Sequence, residues 1–197
     1  MTLSIVLLGN SHMEALAGAL TPLLAAQGLK VVYAEANRGK STAWYVAQGK
    51  LGTVVAQYKP DFLLIELGTN DQPNASYEAT LRAATEQIRA AGSTEILWFG
   101  PSYSATSLEA RLDAIRVRQR AALPGLGVHW FDSFPMTQDG HGPDGVHFTP
   151  AGYRSWASSM AQEIEVVPRP TSMLPFVALT LVAVVAGAIF LPRWFTR

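Results

Sequence analysis

The sequence FLLIELGTND (residues 62–71) joins a largely apolar run to a polar loop. A run without polar alternation is typical of a strand buried on both faces, as in a parallel sheet. The Gly, Thr, Asn and Asp that follow are residue types that favour turns. This stretch therefore predicts a parallel strand whose carboxyl end opens into a polar loop.

Four similar runs recur along the chain, separated by stretches long enough for helices. The five predicted strands are residues 3–8, 30–34, 62–67, 95–99 and 128–131. The predicted helices are residues 13–27, 42–58, 76–91, 108–123 and a fifth that begins at Pro150, with Thr149 as its N-cap. Alternation of this kind implies right-handed crossovers and predicts an α/β fold, a three-layer sandwich with a five-stranded parallel sheet.

Ligands of an open parallel sheet bind outside the carboxyl ends of its strands, so the segments that follow the strands are the candidate site. They supply a serine, amide groups, an acid and a histidine. They are residues 9–12, 37–39, 68–71, 100–103 and the segment that ends at 143–147.

Ser11 lies at the predicted turn from the first strand into the first helix. A serine there can direct its hydroxyl into the crevice, where helix N-terminal amides face a developing oxyanion. The alternative is that Ser11 caps the helix, because Ser11 and Glu14 also match the S-x-x-E pattern of a capping box. Taken alone, Ser11 fits the cap better than it fits a nucleophile.

Asp144 and His147 are spaced three residues apart. In a helical turn both side chains share a face, so the carboxylate can accept from imidazole Nδ1–H and leave Nε2 to take a serine proton. The alternative is a loop rich in glycine and aspartate that happens to contain a histidine. Similarly, the Asn70 amide and the Gly39 backbone N–H could stabilise an oxyanion, or could serve ordinary turns.

Taken in this order, the blocks resemble the SGNH (GDSL-type) hydrolase family over most of residues 3–165. The matching blocks are Gly9-Asn10-Ser11-His12, Asn37-Arg38-Gly39, Gly68-Thr69-Asn70-Asp71 and Asp144-Gly145-Val146-His147, the last continuing through residues 148–153. The resemblance implies the family's flavodoxin-like fold, with Ser11 as nucleophile, His147 as general base and Asp144 as its orienting acid. It also implies an oxyanion hole formed by the Ser11 amide, the Gly39 amide and the Asn70 side chain.

Asn10 departs from the family pattern, which usually reads G-D-S. That aspartate is not the triad acid, so Asn10 need not abolish catalysis. An amide can keep the hydrogen bonds of the turn while removing a negative charge beside the nucleophile. The change from aspartate to asparagine could still weaken or alter the activity.

Several other side chains invite a functional interpretation. Trp44 and Tyr103 are candidates to wall an acyl or sugar pocket, although aromatic residues at helix starts more often pack. We expect His12 to pack or hydrogen-bond near the site, since neighbouring helix residues point apart, and His129 to be a core histidine. Asp139 and His141 crowd the loop of the proposed triad, but no recognised metal-ligand spacing is met. Neither a metal nor another cofactor is therefore expected.

The composition excludes several classes of protein. The chain has 197 residues, 49% hydrophobic, with 15 basic and 15 acidic residues and no cysteine. With a net charge of zero, the chain lacks the excess of positive charge that is typical of proteins that bind nucleic acids. The lack of cysteine excludes disulfides, zinc–thiolate sites and a thiol nucleophile.

The apolar excess lies mainly in residues 173–191, nineteen residues without a charge. A helix of this length spans about 28 Å, close to the hydrocarbon core of a bilayer. We expect a hydrolase-like domain at 1–165, a linker at 166–172, a single transmembrane helix at 173–191 and a short basic tail at 192–197. The missing signal peptide and the terminal Arg193 and Arg197 favour opposite orientations, so the side of the membrane that the domain faces stays open.

The leading hypothesis is a membrane-anchored serine esterase acting on an ester-bearing small molecule, lipid or glycan. One alternative is an O-acyltransferase or deacetylase on an envelope glycan, because it shares the acyl-serine intermediate. The other is a catalytically silent, membrane-tethered binding or structural module.

Overall fold

Strands and helices alternate along the chain in the computed structural model, which describes residues 2–169. The strands among these residues are β1 (Leu3–Gly9), β2 (Leu29–Ala36), β3 (Phe62–Glu66), β4 (Glu95–Phe99) and β5 (His129–Phe131). The helices are α1 (Ser11–Ala26), α2 (Thr42–Ala47), α3 (Lys50–Tyr58), α4 (Tyr77–Ala91), α5 (Glu109–Ala122) and α6 (Pro150–Glu165), with a short 3-10 turn at Pro124–Leu126.

The five strands form one parallel sheet in the order β2-β1-β3-β4-β5. Helices α1 and α6 pack on one face, and α2 to α5 cover the other. The predicted three-layer α/β sandwich with a five-stranded parallel sheet is confirmed. The strand order reverses between β1 and β3, and such a switch point opens a crevice at the carboxyl edge of the sheet.

Both faces of the central strands are buried, which explains their continuous apolar runs. Ile5 and Leu7 of β1 face the α1 and α6 layer, whereas Val6 and Leu8 face the opposite layer. Successive side chains of a strand point to opposite faces, so a strand covered on both sides needs apolar residues throughout.

The predicted helix over residues 42–58 is two helices, α2 and α3. Gly49 separates them with a φ of +62°, in the left-handed region that ends an α-helix and that glycine adopts without a Cβ penalty. The predicted N-cap of the last helix is confirmed, because Thr149 Oγ1 accepts a hydrogen bond from Gly152 N–H at 3.1 Å.

The predicted transmembrane helix at 173–191 and the basic tail lie outside the described residues. Within residues 2–169, no helix combines the length and the apolar character needed to cross a bilayer. The described chain ends at Arg169, whose guanidinium lies 5.7 Å from the ring centroid of Phe62, the first residue of β3.

Candidate active site

Ser11 begins α1, directly after β1, but it does not cap the helix. The N-cap is Asn10, whose Oδ1 accepts a hydrogen bond from His12 N–H at 2.9 Å. Glu14 forms an ion pair with Arg38 at 2.5 Å. The capping-box alternative for Ser11 is therefore wrong, and the serine hydroxyl is free to contact His147.

A hydrogen-bonded chain joins Ser11, His147 and Asp144. Ser11 Oγ lies 2.9 Å from His147 Nε2, and His147 Nδ1 lies 2.7 Å from Asp144 Oδ2. A carboxylate only accepts, so Nδ1 carries the ring proton toward Asp144 and Nε2 accepts from the serine hydroxyl. This is the arrangement in which a histidine can act as a base toward serine.

Asp144 is fixed by a tight turn rather than by the helical turn that its spacing predicts. Its Oδ1 accepts from His147 N–H at 2.9 Å and from Val146 N–H at 3.0 Å. The hydrogen bond from the His147 side chain, followed by these two backbone donors, lowers the pKa of the Asp144 carboxyl well below its usual range. The carboxylate therefore stays ionised and orients the imidazole.

The oxyanion candidates line the same cavity as the serine and histidine. This cavity has a volume of about 400 Å³ and is lined by Ser11, Arg38, Gly39, Asn70 and His147. Gly39 lies in a turn closed by the hydrogen bond from Lys40 N–H to the Asn37 carbonyl (3.2 Å), with a φ of +68°. Asn70 Nδ2 donates to the Lys40 carbonyl at 3.3 Å, which joins the two loops.

Asp71 holds these loops in place, a role that the sequence did not reveal. It is buried and accepts hydrogen bonds from Thr42 N–H (2.7 Å), Thr42 Oγ1 (2.6 Å) and Tyr77 Oη (3.0 Å). Burial raises the pKa of Asp71, against the opposing effect of the Thr42 hydrogen bonds. Asp71 thus ties the start of α2, which follows the Gly39 turn, to the loop that carries Asn70.

Glu66 lies beneath Asn10 and is completely buried. Asn10 Nδ2 donates weakly to Glu66 Oε1 at 3.5 Å, and Glu66 Oε2 has no hydrogen-bond partner in the described part of the chain. Burial raises the pKa of Glu66 to about 8, so the carboxyl is protonated at neutral pH. Its position within an apolar run was the sequence signal for a buried, uncharged acid.

His12 packs behind the site, as predicted. Its Nδ1 lies 3.1 Å from Tyr153 Oη, and its ring centroid lies 5.1 Å from that of His147. Burial, followed by the neighbouring His147, lowers the pKa of His12 to about 3, so the ring is neutral. By contrast, His129 is not a core histidine. It is partly exposed beside Glu95 at 3.4 Å, because β5 lies at the edge of the sheet.

The two aromatic residues expected to wall a substrate pocket lie outside the lining of this cavity. Trp44 packs edge-on against Tyr45, with Lys40 Nζ 5.3 Å from its ring centroid. Tyr103 packs between Phe134 and His141, and its carbonyl lies 3.1 Å from His141 Nε2. Both aromatic side chains contact neighbouring side chains instead, whereas Arg38, which the sequence did not single out, lines the cavity.

Comparisons with known proteins agree with this fold. A model of the GDSL-like lipase/acylhydrolase family matches residues 7–155. No functionally curated protein matches the sequence significantly.

Among solved structures, the aryl esterase of M. smegmatis superposes with a TM-score of 0.68 at 18% identity, covering 82% of this chain and 98% of its own. A lipase/acylhydrolase from Enterococcus faecalis gives a TM-score of 0.66 at 22% identity, covering 83% and 95%. The periplasmic domain of a lipopolysaccharide acetyltransferase from Salmonella ser. Paratyphi A gives 0.63 at 13% identity, covering 83% and 84%.

Proposed function

The chain belongs to the GDSL-like lipase/acylhydrolase family, and from that premise we propose that it is a serine esterase that cleaves a carboxylic ester through an acyl-serine intermediate. The observation that carries the proposal is the hydrogen-bonded chain from Asp144 through His147 to Ser11. It opens into a cavity that Gly39 and Asn70 also line.

In the proposed first step, His147 Nε2 removes the Ser11 hydroxyl proton while Oγ attacks the ester carbonyl. Asp144 stabilises the imidazolium that forms. The negative charge on the carbonyl oxygen is met by the amides of Ser11 and Gly39 and by Asn70 Nδ2. The first N–H groups of a helix have no intrahelical partner, so the Ser11 amide is available for this contact.

In the second step, the alcohol oxygen takes the proton from His147 and the C–O bond to the alcohol breaks. Water, activated by the same histidine, then attacks the acyl-serine and releases the acid. The same intermediate can pass its acyl group to a sugar hydroxyl, so an acyltransferase differs only in the final acceptor.

Hydrolysis of p-nitrophenyl acetate by the full chain tests the proposal. We expect Ser11→Ala to lose nearly all activity while keeping its fold, and Ser155→Ala, a change to an exposed serine of α6, to retain it. A carbohydrate acceptor added to the same assay separates transfer from hydrolysis. Absence of turnover in a folded wild-type chain, or full activity in Ser11→Ala, would contradict the proposal and favour the catalytically silent module.

We also propose that residues 173–191 anchor the domain to a membrane. The uncharged sequence of these residues and the flanking Arg193 and Trp194 support this. Helix α6 begins three residues after His147 and is 16 residues long, so its far end lies about 24 Å from the candidate site. An anchor that follows α6 would hold the site at the edge of the domain away from the bilayer.

A further inference from the structure

We propose that an apolar groove between α1 and α6 binds the alcohol part of the substrate ester; this inference rests on the esterase function proposed above. The groove has a volume of about 390 Å³, within the range of small-molecule sites. Its lining includes Ala15, Gly18, Ala19, Phe148, Tyr153 and Arg154. We call it the α1–α6 groove.

The α1–α6 groove is lined by residues that lie close to Ser11 and His147 on the same two segments of the chain. On α1, Ala15 and Gly18 follow Ser11 by four and seven residues, so the three lie on one face of the helix. On the other wall, Phe148 directly follows His147. The nearest lining residue of α1 is thus one helical turn, about 6 Å, from Ser11, and the lining of the groove runs about 6 Å further along α1, from Ala15 to Ala19.

The surface of the α1–α6 groove suits an alkyl or aryl group better than a sugar. Phe148 and Tyr153 are buried at its base, and the Tyr153 hydroxyl is engaged with His12 Nδ1 at 3.1 Å. Ala15 and Gly18 add little polar surface, and Arg154 is the charged residue in the lining. Burial of apolar surface is the main source of affinity that such a groove can provide.

The position of the α1–α6 groove assigns it to the alcohol rather than to the acyl group. The leaving oxygen must lie near His147 Nε2, because it takes its proton from that atom as the C–O bond breaks. The oxyanion candidates Gly39 and Asn70 line the other cavity and do not line the groove. An alcohol that leaves past His147 therefore enters the groove, while the carbonyl oxygen points toward Gly39 and Asn70.

Gly18 offers a direct test, because a Cβ placed on it meets no atom within 4 Å. Gly18→Phe fills the groove, and Gly18→Ala is the matched control that removes the glycine without filling the space. Both variants exchange glycine for a better helix former, so both are expected to fold. The readout is kcat/KM of the full chain for ethyl acetate and for octyl acetate.

In the wild type we expect kcat/KM to be higher for octyl acetate than for ethyl acetate. Each methylene removed from water contributes a factor of about four to binding. Gly18→Phe should lower kcat/KM for octyl acetate at least about tenfold, which corresponds to the loss of only a few buried methylenes. It should lower kcat/KM for ethyl acetate much less, because the short ethyl group reaches little of the groove. Gly18→Ala adds a single methyl group, so it should change the ratio of the two kcat/KM values much less than Gly18→Phe does.

Two results would overturn the assignment while leaving the esterase function intact. One is an equal effect, or none, of Gly18→Phe on the two acetates. The other is a decrease of kcat/KM in Gly18→Phe for ethyl octanoate but not for octyl acetate. This result would place the acyl chain, and not the alcohol, in the groove. Failure of the folded wild type to hydrolyse any of these esters would instead overturn the esterase function and the groove together.

Discussion

Asn10 determines, at the scale of single residues, which groups at the start of α1 remain available for chemistry. Its side chain accepts from His12 N–H, and its carbonyl accepts from Met13 N–H at 3.2 Å. The Ser11 amide and hydroxyl lie outside this cap. An aspartate could accept the same two hydrogen bonds, but it could not donate to Glu66 Oε1 as Asn10 Nδ2 does, and it would add a second carboxyl beside the buried Glu66. Asparagine therefore preserves the turn that the mechanism needs.

Asn70→Ala tests the proposed oxyanion hole. We expect kcat to fall by about 10² to 10³, because one preorganised donor is lost, while the free energy of unfolding changes little. Gln72→Ala, a change to an exposed residue of the same loop, serves as the control. Hydrolysis of p-nitrophenyl acetate and urea unfolding provide the two readouts. A kcat close to that of the Gln72→Ala control would exclude Asn70 from the hole.

Glu66→Gln tests the buried neutral acid through the pH dependence of stability. Below about pH 4.5, Glu66 is protonated in both the folded and the unfolded chain. As the pH rises the unfolded chain loses this proton first, so stability falls until the folded carboxyl ionises near pH 8. The decrease is at most about 1.4 kcal/mol per pH unit.

We therefore expect Glu66→Gln to gain stability relative to the wild type as the pH rises from 5 to about 8. Urea unfolding at a series of pH values measures the difference, with the exposed Glu86→Gln of α4 as control. A difference that is constant with pH would show that Glu66 ionises normally in the folded chain.

At the scale of helices and strands, the sequence predicted elements better than it predicted their interruptions. The apolar runs identified all five strands, because burial on both faces leaves a signal that needs no tertiary information. The break at Gly49 was missed, since a glycine inside a helical pattern is also compatible with a continuous helix. The hydrogen bonds from Thr42 to Asp71 could not be predicted, because they join residues 29 positions apart in the sequence.

Gly49→Ala tests the division between α2 and α3. A Cβ at Gly49 meets no atom within 4 Å, so the expected loss of about 1 to 2 kcal/mol arises from the left-handed backbone alone. Gly18→Ala, within α1, should instead be neutral or stabilising by up to about 1 kcal/mol. Urea unfolding of both variants gives the comparison. Equal stability of the two variants would contradict a left-handed Gly49.

At the scale of the whole molecule, the candidate site lies at the carboxyl ends of the strands. The end of the described chain, Arg169, lies at the amino end of β3. The sequence placed Ser11, Gly39, Asn70 and His147 at one edge, because parallel strands bring their carboxyl ends together. It did not predict Arg38 in the cavity or the α1–α6 groove, since both depend on how separate elements pack.

Arginine substitutions test the proposed anchor. Each arginine at the centre of a transmembrane helix costs about 2.5 to 3.5 kcal/mol on insertion, so Val184→Arg with Val185→Arg should release the full chain from membranes. Activity on p-nitrophenyl acetate should be unchanged, because the site lies at the other end of α6. Membrane fractions washed with alkaline carbonate measure the release. A wild-type chain that is itself removed by carbonate would contradict the anchor.

Mass spectrometry of the chain after reaction with a fluorophosphonate tests the central claim most directly, namely that His147 and Asp144 activate Ser11 as a nucleophile. We predict one phosphonyl group per chain, on the peptide that contains Ser11, with greatly slowed labelling in His147→Ala. A folded wild-type chain that takes up no label, or that carries it on another serine, would contradict the claim.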